Sequence, residues 1–423
     1  MTFVSKLALA AALTLGGTAL SVTPAAAQKK DDKAQAGPQL KVSEAFRKAA
    51  APAETSIKAK DWTGAEANLV AAEAVAKNND EKYYAAYLRL QQELGKNNLN
   101  GQMQALSVLI GNPVTPPDAV AGYSRIYYYQ IGVQASAAKK YPEAITNLNK
   151  ARDLGNQDVD IPIVLANVYA TTNRPAESIA EVEKAIAVAK ASGSKAPEAW
   201  YQFAIPKVNA TGDRAAMASW LSRYLTDYPT VKNWHWAITV YRQSAPAGAN
   251  ERVEKLDGYR LMRATNSLPN RGSYADYAFA AQQAGLPWEA VAVIDEGRKS
   301  GKIPAGDADV AKTYASAQTG VKGEGSLDAL AKQANAAKDG KAAAQTGDAF
   351  LASGNSARAV ELYDIALTKG GINADEVNLH RGIAFQQLGR KEEARTAFGQ
   401  VKSGPLANLA TLFTTSLDLP PLS

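Results

Sequence analysis

Cysteine is absent from this 423-residue sequence, and histidine occurs only twice, at His235 and His380. No disulfide can form, and a zinc site would need carboxylates to complete its ligands because no thiolate is available. The two histidines are 145 residues apart, so they form no H-E-x-x-H pair, and the G-x-S-x-G motif is also missing. We therefore expect a protein that is not an enzyme, with no catalytic residues, no metal site and no cofactor.

The sequence does contain a pattern that recurs about every 34 to 40 residues from Ala53 to Val401. The two clearest copies begin at Gly347 and Gly382. Each glycine is followed, at the same offsets, by an aromatic residue, a glycine turn, an alanine and a second aromatic residue. These are Phe350, Gly354, Ala359 and Tyr363 in the first copy, and Phe385, Gly389, Ala394 and Phe398 in the second. This spacing places small and aromatic residues on facing sides of two helices that are joined by a turn.

Weaker copies of the same frame lie upstream, with small residues at Ala53, Gly132, Ala166, Ala204 and Ala278. The series of small residue, aromatic, turn, alanine and aromatic resembles the tetratricopeptide repeat (TPR) family, and the chain is similar to a bacterial exported TPR protein. The resemblance implies an all-α, right-handed superhelical solenoid of about ten helix-turn-helix repeats. We expect about twenty antiparallel helices of roughly 10–16 residues and no β-sheet. Turn-forming residues predict irregularities near 95–101, 245–250 and 320–325.

The first 27 residues have the features of a secretory signal peptide. Lys6 precedes the apolar run Leu7–Val22, and Ala25-Ala26-Ala27 forms a small-residue cleavage site. The run has 16 residues, whereas a membrane span needs about 20, so a membrane anchor is the less favoured alternative. We expect removal of 1–27, a disordered leader over 28–41, and export to the periplasm with no transmembrane helix after cleavage.

The solenoid is expected over 42–405, and 406–423 are expected to form a C-terminal capping helix and a tail. Leu406, Leu409, Leu412 and Phe413 recur at helical spacing. Such a helix would cover the apolar face of the last repeat, as the end of a solenoid requires. A membrane-binding or partner-binding helix is the alternative interpretation.

The charge balance bears on the partner. Lysine and arginine exceed aspartate and glutamate by 47 to 41, which gives a formal net charge of +6. A basic balance favours nucleic acid as the partner of a cytosolic chain, but export argues against it here. We expect no nucleic acid, and instead a protein or peptide partner or an anionic component of the envelope.

The resemblance also implies a position for the partner-binding groove. In the TPR family, residues next to the small anchor of each first helix, or about one turn away from it, line the concave side. The residues at these offsets are Tyr129, Asn167, Tyr201, His235, Arg242 and Phe279. By contrast, Trp200, Trp220 and Tyr274 fall at packing offsets and are predicted to lie in the core.

The function implied by the resemblance is a non-catalytic scaffold that binds proteins or peptides in the bacterial cell envelope. Five of the six tryptophans lie between 200 and 288, among many tyrosines. Exposed rings there would also suit a module that binds a glycan or envelope polymer, which is the first alternative. An enzyme with an unrecognised site is the second.

Overall fold

A computed structural model describes residues 40–156, 158–244 and 251–418. Within these ranges the chain forms 21 α-helices and no strand, so the predicted all-α repeat fold is confirmed. The predicted signal peptide, residues 28–39 of the expected leader, the expected irregularity at 245–250 and the tail after Asp418 lie outside the described residues. No helix in the described part of the chain is both long and apolar enough to span a membrane.

The helices divide into two compact units, Met1–Val188 and Ala189–Ser423. The helices of unit 1 are α1 (Glu44–Lys58), α2 (Trp62–Val75), α3 (Asn79–Gly95), α4 (Leu99–Gly111), α5 (Pro117–Ala137), α6 (Tyr141–Asp153), α7 (Asp160–Thr171) and α8 (Pro175–Ala191), whose last turn crosses the boundary. The helices of unit 2 are α9 (Glu198–Ala210), α10 (Arg214–Asp227), α11 (Val231–Gln243), α12 (Glu251–Ala264), α13 (Arg271–Gln283), α14 (Pro287–Lys299), α15 (Ala308–Glu324), α16 (Leu327–Ala336), α17 (Lys341–Ala352), α18 (Ser356–Lys369), α19 (Ala374–Gln387), α20 (Lys391–Phe398) and α21 (Gly404–Leu417).

Small residues lie where the two helices of a repeat meet. A β-carbon at Gly347 would lie 2.7 Å from the ring of Tyr363, and one at Gly382 would overlap the ring of Phe398. In unit 1 the equivalent contact is made by Gly132, where a β-carbon would lie 2.6 Å from Leu148. These pairs are the small and aromatic or aliphatic positions of the sequence frame. They show why the frame predicts paired helices.

The turns between paired helices contain a residue with positive φ. Gly354 and Gly389 have φ of 84° and 73°, a region that glycine adopts without a steric penalty. In unit 1 the turns place Lys60, Asn97 and Lys139 in the same region. The residues at 95–101 therefore form an ordinary turn between α3 and α4, and the irregularity predicted there is not observed.

In unit 1, α1 to α7 pack on helices one or two positions away in the chain. α3 packs on α1, α2 and α4, and α5 packs on α4, α6 and α7. Clusters of buried side chains follow one another along α1 to α7, among them those that contain Phe46, Leu106 and Leu165. The core of unit 1 is therefore built from one repeat to the next.

Unit 2 has contacts of a second kind. Neighbouring helices pack as they do in unit 1, but α21 also packs on α10 and α12, and α14 packs on α17. The predicted C-terminal helix is present and covers α19 and α20, and in addition it reaches helices near the beginning of the unit. Leu409, Leu412 and Phe413 of α21 are completely buried. The helix therefore closes unit 2 as well as covering its last repeat.

The regular pairing is interrupted between α15 and α16. α15 packs on α13 and α14, whereas α16 packs on α17. Gly325, with φ of 75°, lies between them. This position agrees with the irregularity predicted at 320–325.

Candidate functional site

Two of the six predicted groove residues lie in the core instead. Tyr129 is 4% exposed and packs in a cluster with Leu148, Leu165 and Tyr169, and Tyr201 is fully buried. The prediction is therefore wrong for the accessibility of these two side chains.

The environment of Tyr201 explains the error. Its ring packs 6.2 Å from Trp220 and 5.8 Å from Tyr224, and its hydroxyl donates a hydrogen bond to the Asp227 carboxylate. Burial and the nearby Asp227 carboxylate raise the pKa of Tyr201 above its ordinary value. Trp200, which was predicted to be core, is half-buried. The packing face of α9 is thus rotated by about one position from the predicted frame, and one position is about 100° on a helix.

Arg242 also has a packing role. Its guanidinium lies 3.9 Å from the centre of the Tyr259 ring, and Tyr259 stacks on Tyr277 with ring centres 5.4 Å apart. A β-carbon at Gly258 would lie 2.6 Å from the Arg242 side chain, so this glycine makes room for the arginine against α12. The side chain is half-buried, and it joins α11 to α12.

The remaining three predicted groove residues keep accessible surface. In unit 1, Asn167 is exposed, and its amide donates to the Ile163 carbonyl at 2.8 Å. In unit 2, His235 is half-buried and Phe279 is 54% exposed. Trp220 and Tyr274 are buried as predicted. Asn167, His235 and Phe279 remain predicted partner contacts.

A row of half-buried tyrosines lies on α3 and α5 of unit 1, and the sequence did not predict it as part of the groove. We call Tyr83, Tyr87, Tyr123 and Tyr127 the tyrosine face. Their rings pack on the buried cluster that contains Ala86, Leu90, Ala105, Leu106 and Leu109. The run Tyr127-Tyr128-Tyr129 in the sequence was the available signal, because three consecutive residues cannot all face one core.

Two members of the tyrosine face, Tyr83 and Tyr123, interact with each other. Burial raises the pKa of Tyr83 and of Tyr123, and a hydrogen bond joins the two side chains. Next to the face, the ring of Tyr128 lies edge-on to Tyr127 with ring centres 5.5 Å apart. The Lys150 ammonium is 3.9 Å from the Tyr128 ring centre. The surface therefore presents apolar rings, hydrogen-bonding hydroxyl groups and a positive charge.

Unit 2 contains a buried group of charged side chains where α12 and α14 meet α17 and α19. We call Asp257, Arg260, Glu289, Asp348 and His380 the charge cluster. Arg260 donates to Glu289 through two bonds of 2.9 and 2.7 Å, and to Asp257 at 2.9 Å. Nδ1 of His380 is 2.7 Å from Asp348, and its Nε2 is 3.3 Å from Asp257. Tyr277 and Tyr363 donate to Glu289 and Asp348, both at 2.7 Å.

The charges of this cluster are fixed by one another. Burial alone would lower the pKa of His380, but the Asp348 and Asp257 carboxylates raise it to about 10. Burial alone would raise the pKa of each of these carboxyls, yet His380 and Arg260 hold both below the usual range. The imidazole is therefore positively charged near neutral pH. Each charged side chain has at least one oppositely charged partner, so the cluster serves to join helices.

No family model matches the sequence, and no curated protein matches it. The solved structure of the TPR domain of P58(IPK) is similar at 12% identity and a TM-score of 0.26, over 88% of this chain and 97% of that chain. A tetratricopeptide repeat protein from Parabacteroides merdae shows 11% identity and a TM-score of 0.24, over 80% of this chain and 100% of that chain.

A third similar structure is the pentatricopeptide repeat protein PPR10 from maize, with 13% identity and a TM-score of 0.27, over 88% of this chain and 62% of that chain. All three are helical repeat proteins by their names. The paired helices of this chain, with their small-residue contacts, form a tetratricopeptide-like repeat fold.

Proposed function

We propose that this protein is a non-catalytic scaffold that binds a protein or peptide, and that the tyrosine face of unit 1 forms part of the binding surface. The observation that carries the proposal is the row of four half-buried rings on two successive first helices. Tyrosine combines a large apolar area with a hydrogen-bonding group and has few rotatable bonds to immobilise. Asn167 on α7 is a further proposed contact of unit 1. Phe279 is a proposed contact of unit 2, taken by itself.

The location we propose is the bacterial cell envelope, after export through the N-terminal signal. The support is the arrangement of Lys6, the apolar run and the alanine cleavage site. Expression with this signal should yield a mature chain that begins at Gln28, and intact-mass spectrometry would show it. A mass that corresponds to all 423 residues in the periplasmic fraction would contradict cleavage.

A glycan or an anionic envelope polymer is the second candidate partner. The same rings can stack on sugar rings, and the chain carries a formal net charge of +6. An array of acidic and neutral saccharides separates the two candidates. Saccharide binding that is lost with the tyrosine face would favour the glycan over a peptide.

The experiment is affinity capture from an envelope fraction by the mature chain, followed by mass spectrometry and a titration with the captured partner. Tyr83→Ala combined with Tyr87→Ala should weaken binding by about 2 kcal/mol, or roughly 30-fold, because central aromatic contacts carry most of the energy of such interfaces. Leu388→Ala, at an exposed apolar residue of unit 2, is the matched control and should leave binding unchanged. Equal binding by the tyrosine variant and the parent, both folded by circular dichroism, would refute a role for this face.

A further inference from the structure

The first helices of the last three repeats, α17, α19 and α21, form a row in unit 2. α17 contacts α19, and α19 contacts α21. In an open repeat array one side of such a row faces solvent. Here every residue of α19 from Val377 to Phe385 is buried except the half-buried Arg381. A helix that is buried all round has partners on every side, so something covers the open side of this row.

The covering elements are second helices from the first half of the same unit. α14 lies against α17, α12 lies against α19 and α21, and α10 lies against α21. At the centre, Asp257 and Arg260 of α12 are three positions apart and so lie on one side of the helix. Asp257 lies 3.3 Å from Nε2 of His380 on α19 and pairs with the imidazolium, whereas Arg260 lies 3.2 Å from the same nitrogen as a like-charged neighbour and is held in place by Asp257. α12 is thus seated on the row through a charged contact.

The covalent link between the two halves is slender. α15 packs on the first half and α16 packs on the second, and Gly325 lies between them with positive φ. Val310 and Ala317 are the buried residues of α15, although the helix has 17 residues. A single glycine joint with little packing around it fits a hinge between two lobes, whose closure depends on the contacts of α10, α12 and α14.

We propose that α17, α19 and α21 form a helix-binding groove, which we call the C-terminal groove, and that α12 occupies it in this structure as an internal ligand. Its preferred partner is a helix with an acidic residue followed three positions later by an arginine. The acidic residue meets the His380 imidazolium, and the arginine pairs with that acidic residue one turn away and offsets the charge of Asp348 on α17. This inference concerns a different surface from the tyrosine face and stands independently of it.

The test opens the lobe and offers α12 in trans. The full mature chain carries Asp257→Ala with Arg260→Ala. These changes remove the two charges that α12 contributes to the charge cluster and leave the His380–Asp348 pair intact. Because the chain has no cysteine, Lys255→Cys and Lys391→Cys place spin labels at two exposed sites, one on each side of the contact. The distance distribution should be narrow in the parent and longer and broader in the opened variant, with helicity retained.

A fluorescent peptide with the sequence of residues 251–264 is then titrated. The opened chain should bind it at least about tenfold more tightly than the parent, since the internal helix no longer competes. A peptide in which the Asp257 and Arg260 positions are exchanged is the matched control and should bind at least about tenfold more weakly. Equal binding of the two peptides, or no binding by a chain shown to be open, would overturn the proposal.

A second opened variant guards against misfolding of the first. Leu412→Ala shortens a buried side chain of α21 and leaves every member of the charge cluster in place. It should loosen the lobe contact and admit the same peptide with the same preference for Asp257 and Arg260. A variant that opens by the distance measurement and ignores both peptides would refute the groove.

Discussion

The two units use the same repeat in different ways. In unit 1, α1 to α7 pack on helices one or two positions away in the chain, so the core follows the order of the chain. In unit 2 three second helices, α10, α12 and α14, also pack on first helices from the end of the unit. The same helix pair therefore builds either an array of local contacts or a closed body, depending on what covers its open side.

The charged side chains reflect this difference. In unit 1, Arg89 pairs with Glu66 and Glu73 near the surface, where the two carboxylates are 44% and 39% exposed. In unit 2, Arg260 pairs with Glu289 and Asp257 out of contact with solvent. Water can replace a lost partner at the first site but not at the second. We therefore expect local stability in unit 1 and cooperative stability in unit 2.

Replacement of Arg260 should produce the largest difference between the units. Arg260→Ala leaves Glu289 buried without the cation it pairs with and leaves Asp257 with His380 alone, which should cost about 3–5 kcal/mol of the free energy of unfolding. The matched change in unit 1, Arg89→Ala, should cost about 1 kcal/mol, because Glu66 and Glu73 remain hydrated and Lys96 still pairs with the buried Glu93. Urea denaturation measures both. Equal losses would show that the two networks are equally solvated.

Truncation of Tyr201 should also destabilise unit 2, against the expectation from the sequence. Tyr201→Ala removes a fully buried ring and leaves Asp227 without its hydroxyl donor, at a cost of about 3–5 kcal/mol. Phe279→Ala, at a half-exposed ring, should change stability by less than about 0.5 kcal/mol. Thermal melting compares the two. A small shift for Tyr201→Ala would restore it as a groove residue.

Enlarging the small alanine of the second helix should cost about 1–3 kcal/mol of the free energy of unfolding in either unit. The helices that are loosened by the change should differ between the two units. Ala394→Leu in unit 2 and Ala144→Leu in unit 1 enlarge residues that are both fully buried. Hydrogen exchange should show faster exchange in α10 and α12 for the first variant, and only near α5 and α6 for the second. Arg390→Ala, in an exposed turn, is the control and should leave exchange unchanged. A local response to both leucines would contradict a closed unit 2.

The pH dependence of stability should belong to unit 2. His380 faces Asp257 and Arg260 of α12, Asp348 of α17 and the ring of Tyr363 on α18. Its pKa of about 10 in the folded chain lies above its ordinary value of 6.5. Its stabilising contribution is therefore fully present below about pH 6.5 and is lost as the pH rises through about 10.

Tryptophan fluorescence during urea denaturation at pH 6, 8 and 9.5 would measure this loss, because five of the six tryptophans lie in unit 2. His380→Gln is the control, and its stability should decline less over the same interval. An identical decline in the parent and in the variant would assign the effect to other groups.

The fold could be predicted from the sequence because the repeat is local. Gly347 and Tyr363 meet within one helix pair, and their spacing repeats in the next pair. The break in helix pairing near Gly325 was likewise indicated by a local cluster of glycines. The interior of unit 2 was not predictable in this way. Asp257 and His380 are 123 residues apart, and their contact arises once, so no periodic pattern records it.

The predicted site residues illustrate the same limit at smaller scale. An error of one position in the frame turns a residue by about 100° around its helix. Tyr201 was thereby assigned to the groove although its ring fits among the aromatic residues of α10. Only Tyr127 of the tyrosine face belongs to the run of three tyrosines in the sequence. The packing around Leu106 decides which tyrosine rings stay partly accessible, and the sequence does not show this packing.

Deletion of residues 404–423 tests most directly whether unit 2 closes on itself. The shortened chain lacks α21, and hydrogen exchange measured by mass spectrometry would report protection for each helix. The closed arrangement predicts loss of protection in α10 and α12, far away in the chain, together with α19 and α20, while α1 to α7 keep theirs. Loss confined to α19 and α20, with α10 and α12 as protected as in the full chain, would contradict it.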